Sequence, residues 1–150
     1  MRRSHKGKFR PLNPEKYKGN VTEICWRSSW ELKLMMELDK NPDVLEWNSE
    51  EIAIHYISPI DKKPHRYFPD FWVKKVNRSD GKIVEVLIEV KPKKETAPPQ
   101  AKTGKPTKKY INEVYTWGVN SAKWEAAEKF CKQKGWQWMI MTEHELGIKR

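Results

Sequence analysis

The sequence predicts a mixed α/β domain in the order α-β-β-β-α-β, and three observations carry that prediction. Residues 66–92, R-Y-F-P-D-F-W-V-K-K-V-N-R-S-D-G-K-I-V-E-V-L-I-E-V-K-P, set two Val/Ile/Phe/Trp runs around an Asn/Ser/Asp/Gly cluster, the pattern of a β-hairpin. Ahead of it, Ser28-x-x-Glu31 opens a run with apolar residues at helical spacing. Behind it, a helical pattern stops at Gly135 and gives way to W-Q-W-M-I-M, so the last strand returns by a helical crossover, expected to be right-handed. A chain of 150 residues suits one domain with a sizeable core.

Taken in order, residues 1–20 are basic, Pro/Gly-punctuated and poor in apolar side chains, which predicts a flexible arm ahead of a domain spanning 21–150. The first helix runs from Ser28, with Trp30, Leu34 and Leu38 forming its stripe, to Asn41-Pro42. Glu31 lies against that apolar face, where the capping box already accounts for it. Val44–Trp47 and Glu51–Ile57 read as strands, and 58–65, with Pro59 and Pro64, as a loop. On the strand predicted over 66–76 both faces are largely apolar, so it belongs in the middle of a sheet covered on both sides. Pro69 has no N–H to give a ladder, which predicts a bulge or a sheet edge just before Asp70. Residues 92–109 lack apolar periodicity and predict a mobile loop. Helical spacing resumes over 108–117, and Asn120 or Ser121 caps a further helix to Lys134 with Trp124, Ala127, Phe130 and Cys131 inward. Thr142-x-x-Glu145 opens a short terminal helix.

Strand parity gives the hairpin its chemical meaning. With the turn centred between Ser79 and Asp80, Val76 faces Ile83, Trp72 faces Leu87 and Asp70 faces Glu89. Phe68, Asp70 and Trp72 share one face of the first strand, and Leu87, Glu89 and Lys91 share one face of the second. Directly opposed carboxylates are destabilising on their own. A divalent cation between them turns the liability into a site, because hard cations take several carboxylate oxygens. Asp70 and Glu89 are therefore the candidate metal ligands, with the Val90 carbonyl as a further oxygen. Lys91 stands beside them to orient an attacking water or to offset charge growing on a phosphate.

Charge is distributed unevenly. Residues 1–18 have a net charge of +6 and residues 92–109 of +5, which leaves the remainder near neutral at −1. A neutral body with two basic segments suits a polyanion. Arg2, Arg3, Lys6, Lys8 and Arg10 in the arm, with Lys93, Lys94, Lys102 and Lys105 in the loop, are the candidate DNA contacts. Cys25 and Cys131 have no metal-type spacing with the four histidines, so reduced thiols are expected and a zinc site is not. No apolar run approaches a membrane span and no signal-peptide core is present, which predicts a cytosolic protein or one built into a particle assembled in a cytosol.

A helix glutamate (Glu31), a strand Pro69-Asp70 and then Glu89-Val90-Lys91, in that order, resemble the PD-(D/E)xK nuclease superfamily. Within it, W-R-S-S-W-E, Y-F-P-D-F-W-V, I-E-V-K-P and the tail ending T-E-H-E-L are similar to the TnsA-like endonucleases. Size and basic arm look closest to the head-completion nucleases of T-even-like bacteriophages. The resemblance covers roughly residues 22–145 and implies a restriction-endonuclease-like fold, an αβββαβ core with a mixed sheet between helices. It also implies a Mg²⁺-dependent DNA endonuclease, using one or two ions with Mn²⁺ able to substitute and no small-molecule cofactor. For the phage group it implies action after DNA packaging, head or neck proteins as partners, and a place in the virion or the host cytoplasm. It adds Glu31 to the catalytic and metal-binding set, and Lys123 as an auxiliary phosphate-facing residue. The competing class is a non-catalytic DNA-binding or docking component of a virion neck that keeps the fold. A junction resolvase of the same fold is a third reading.

Overall fold

The computed structural model describes residues 6–101 and 103–148. In chain order they form β1 (Gly7–Lys8), a 3₁₀ turn (Pro14–Lys16), a second (Val21–Glu23), β2 (Cys25–Trp26), α1 (Ser29–Lys40) and β3 (Val44–Ser49). Then come β4 (Ile54–Ile57), β5 (Pro64–Tyr67), β6 (Phe71–Val76), β7 (Ile83–Val90) and a 3₁₀ turn (Lys93–Thr96). The chain continues through α2 (Lys108–Lys134), β8 (Gln137–Met141) and α3 (Glu143–Leu146).

Local chemistry sets most of these boundaries. The Ser28 hydroxyl accepts the Glu31 N–H at 3.2 Å and starts α1, and the Thr107 hydroxyl does the same for Tyr110 at 3.1 Å at the head of α2. Gly135, at φ 74°, closes α2 in the left-handed conformation that glycine adopts without strain. Thr142 and Glu145 form a complete capping box on α3.

The main sheet has the order β3-β6-β7-β8, with β8 parallel to β7 and the other neighbours antiparallel. β6 and β7 pair in the register that the turn dictates, Val76 with Ile83 and Trp72 with Leu87. Alternation then splits the side chains between two cores. Phe71, Val73, Val86, Ile88 and Val90 pack with α1 on one side; Trp72 and Leu87 pack with Trp124, Ala127 and Cys131 of α2 on the other.

Four features depart from the sequence reading. The strand expected over 66–76 is broken at 68–70, and its first part pairs with β4 as a separate two-stranded sheet, Tyr67 opposite Ile54. Pro69 supplies the reason, since it cannot donate to a ladder. The two helices expected on either side of Asn120 are one helix of 27 residues, because Gly118, Asn120 and Ser121 are each only mildly unfavourable inside a helix that α2 can pack against the sheet.

Residues 6–20 are not a loose arm. β1 pairs with β2, Phe9 and Tyr17 enter the α1-side core, and Tyr17 meets Trp47 edge-on at 4.8 Å. Buried Asp39 fixes this strap by accepting the Leu12 and Asn13 N–H groups at 2.8 and 3.0 Å. Two apolar residues and one distant carboxylate make too faint a periodic signal to read. Finally, the segment after Pro92 begins as a 3₁₀ turn whose Lys93 N–H is held by Glu143 at 2.7 Å.

Candidate active site

The open end of the β6–β7 hairpin collects the acids. The paired ladder ends at Phe71–Ile88, and the next step outward places Asp70 and Glu89. Pro69, fully buried, fixes the backbone on which Asp70 stands. Asp70 Oδ2 accepts the Val90 N–H at 2.8 Å, so its carboxylate bridges to the strand that bears Glu89. Glu89 is 7% exposed and Glu31, from the first turn of α1, is also 7% exposed. The Ser28 hydroxyl reaches Glu31 Oε1 at 3.2 Å, a contact to the serine side chain where a full capping box would use its backbone N–H. Lys91 follows β7 with its N–H on the Met141 carbonyl at 3.0 Å.

The electrostatics are those of a site short of positive charge. Burial pushes the Asp70 carboxyl well above the usual range, and the Glu89 charge adds to that, with Glu31 and Glu50 pushing the same way. Burial also raises Glu89, while the Tyr67 hydroxyl and the Lys91 and Lys123 ammonium groups pull it down. Glu31 is raised by burial and by Glu50, against the Ser28 hydrogen bond and Arg27. The Asp70–Glu89 pair therefore resists double ionisation. Among the described residues no three Asp, Glu, His or Cys side chains stand at the spacing of a finished metal cage. Magnesium does not need one, since it is commonly held by one or two carboxylates plus waters. Two hard-oxygen donors that repel each other until a cation intervenes suit such an ion.

The fold thus brings Glu31, Asp70 and Glu89 within electrostatic reach of one another, and Lys91 and Lys123 of α2 join them through their effect on Glu89. Lys123 Nζ stands 5.5 Å from the centre of the Tyr67 ring and 5.9 Å from that of Tyr56. The basic candidates divide. Lys6, Lys8 and Arg10 are exposed on the strap, where β1 borders the strand that leads into Ser28. Lys93, Lys94 and Lys105 are exposed beyond the end of β7. Arg2, Arg3 and Lys102 lie outside the described residues.

Two neighbours escaped the sequence reading. Glu50 sits at φ 54°, its N–H on the Asp70 carbonyl at 3.2 Å and its carboxylate paired with Arg27. A non-glycine residue in that region of backbone space marks local strain. Tyr67 donates its hydroxyl to Glu89 Oε1 at 2.5 Å. Unbroken alternation would have put Tyr67 on the α1 side with Phe71 and Val73; the break at Pro69 turns it to the α2 side instead. Phe68, expected to share a face with Asp70 and Trp72, is left exposed for the same reason.

A mixed sheet with an acidic cluster where its central hairpin opens is the architecture of a restriction-endonuclease-like nuclease. Residues 41–143 match the N-terminal domain of TnsA-like endonucleases, and the chain belongs to that family. It is 40% identical over 146 residues, 95% of this chain and 94% of the relative, to the head completion nuclease of Enterobacteria phage T4. Nucleases of this kind generally use divalent metal ions. No helix among the described residues is long and apolar enough to cross a membrane.

Proposed function

We propose that this chain is a Mg²⁺-dependent DNA endonuclease that acts in completing the filled head of a phage, in the virion or in the host cytoplasm. The observation that carries the reading is the Asp70–Glu89 pair, two carboxyls raised by burial and by their shared neighbourhood at the open end of a hairpin. Nothing in folding favours such a pair. Asp70 and Glu89 would hold the ion, with Glu31 and the Val90 carbonyl completing its shell directly or through water. When bound, the ion polarises the scissile phosphate and lowers the pKa of a water.

The chain's own residues do the rest. Asp70 is held by the Val90 N–H, which fixes the direction of its second oxygen. Lys91 orients the attacking water or balances charge on the phosphate in the transition state. Lys123 faces the same phosphate from α2. Lys6, Lys8 and Arg10, with Lys93, Lys94 and Lys105, contact the backbone of DNA on either side. The likeness to a head completion nuclease supports the phage setting, with head or neck proteins as partners. A docking protein without catalysis would have no use for two buried acids, one of which raises the other.

Plasmid nicking tests the reading. Cleavage is expected with Mg²⁺ or Mn²⁺ and none with EDTA. Asp70→Ala nicking like the wild type would overturn the site.

A further inference from the structure

Tyr67 is the contact between the small β4–β5 sheet and the acidic site. It is 5% exposed, it lies on the α2 side of the sheet, and its hydroxyl meets Glu89 Oε1 at 2.5 Å. Its ring bears Lys123 of α2 at 5.5 Å, and Trp124, the next residue of that helix, packs in the same core. A buried phenol needs one acceptor, and any backbone carbonyl would have served. This one takes a carboxylate that is itself desolvated, at a charge-assisted distance.

We propose that Tyr67 is a positioning residue: its hydroxyl occupies one oxygen of Glu89 and so turns the other towards the divalent ion, while its ring sets Lys123 against the substrate phosphate. The inference rests on the reading of Glu89 as a metal ligand. A carboxylate held at one oxygen has lost the freedom to rotate or to bind the ion through both, which is the usual effect of a partner bonded behind a metal ligand. The ring adds a second constraint. Cation–π attraction draws an ammonium to the aromatic face, so Lys123 is kept near Glu89 without a direct ion pair that would cancel both charges. One side chain thereby aligns a ligand from β7 and a cation from α2.

The test separates the two parts of Tyr67. Tyr67→Phe keeps the ring and removes the donor. The Mg²⁺ concentration for half-maximal cleavage should rise about 10- to 100-fold, with most of kcat regained at saturating Mg²⁺. DNA affinity without metal should stay within about twofold, since Lys123 keeps its platform. Tyr67→Leu removes the ring as well, and its DNA affinity should fall to that of Lys123→Ala. Weakening of Mn²⁺ binding in Tyr67→Phe, read by electron paramagnetic resonance in the cold, gives the same answer without turnover if the variant is too unstable to assay hot. An unchanged metal requirement in Tyr67→Phe, whatever its melting temperature, overturns the proposal provided Asp70→Ala is inactive. Wild-type cleavage by Asp70→Ala would instead sink the site on which it rests.

Discussion

The two ends of the β6–β7 hairpin are built from the same pair of strands and obey opposite rules. At the closed end the turn is held by partners close in sequence. Asn77 N–H bonds the Lys82 carbonyl at 2.7 Å, Ser79 and Lys82 N–H groups bond the Asn77 and Asp80 side chains, and Gly81 takes φ 71°. At the open end four carboxylates, Glu31, Glu50, Asp70 and Glu89, act on one another from four different stretches of the chain. The closed end is stable because its residues are neighbours in sequence. The open end is costly for the complementary reason: each acid was brought there by the tertiary fold, and around buried Glu31 and Glu89 little water is left to screen the charges. A fold keeps such an end when something outside the chain compensates it.

On that contrast, substitutions at the open end should change chemistry far more than stability. The largest effect is expected for Glu89→Ala and Lys91→Ala, alongside Asp70→Ala: loss of Mg²⁺-dependent nicking by orders of magnitude with circular dichroism unchanged. A variant that unfolds would mean its side chain is structural.

Glu31→Gln comes next. The Ser28 hydroxyl can donate to an amide oxygen as it does to the carboxylate, so stability should stay within about 0.5 kcal/mol. Cleavage should nonetheless fall by orders of magnitude and recover in part at high Mg²⁺. Normal cleavage by this variant would make Glu31 a cap and nothing more.

Lys93 and Lys94 follow the strand that bears Glu89, Lys105 lies further along the same basic segment, and their effect should be on affinity. Neutralising Lys93, Lys94 and Lys105 together should weaken binding to all duplex sequences alike. The slope of log K against log salt should flatten by about 0.9 for each phosphate left without its lysine. An unchanged slope would assign those lysines to a protein partner.

The pH dependence of the metal-free protein sharpens the comparison further. The Asp70 and Glu89 carboxyls are raised in the fold above their unfolded values of about 4. Their contribution to stability is therefore fully present below about pH 4 and is lost as pH rises through the raised folded values. Asp70→Asn and Glu89→Gln keep the hydrogen bonds from Val90 and Tyr67 but cannot ionise. Each should melt higher than wild type at pH 7, and the difference should shrink on acidification towards pH 4. Lower melting at pH 7 would show that the charged forms are wanted for the fold itself.

The smallest effect belongs to the closed end. Gly81→Ala meets no atom but must hold a left-handed backbone, so it should cost about 1 kcal/mol in thermal unfolding and leave nicking untouched. Altered metal dependence in this variant would mean the two ends are mechanically linked.

Sequence alone determined whatever local chemistry enforces. Ser28 as a cap, Gly135 as a stop, Thr142 with Glu145 as a box and the Val76–Ile83 register all follow from residues within a few positions of each other, where geometry leaves little choice. Strand parity carried the register outward as far as Phe71–Ile88, one step short of Asp70 and Glu89. The order of Glu31, Asp70, Glu89 and Lys91 pointed to the superfamily, and the wider motifs pointed to the TnsA-like family that residues 41–143 match. Tertiary structure decided the rest. Whether α2 breaks at Asn120 depended on packing against the sheet, not on capping preference. Whether residues 6–20 stay loose depended on Asp39, some 26 residues away. The turn of Tyr67 towards Glu89 depended on where the ladder ends at Pro69. Periodicity records which face a residue prefers, but not which distant group will be waiting there, because those partners are chosen by the closure of the whole chain.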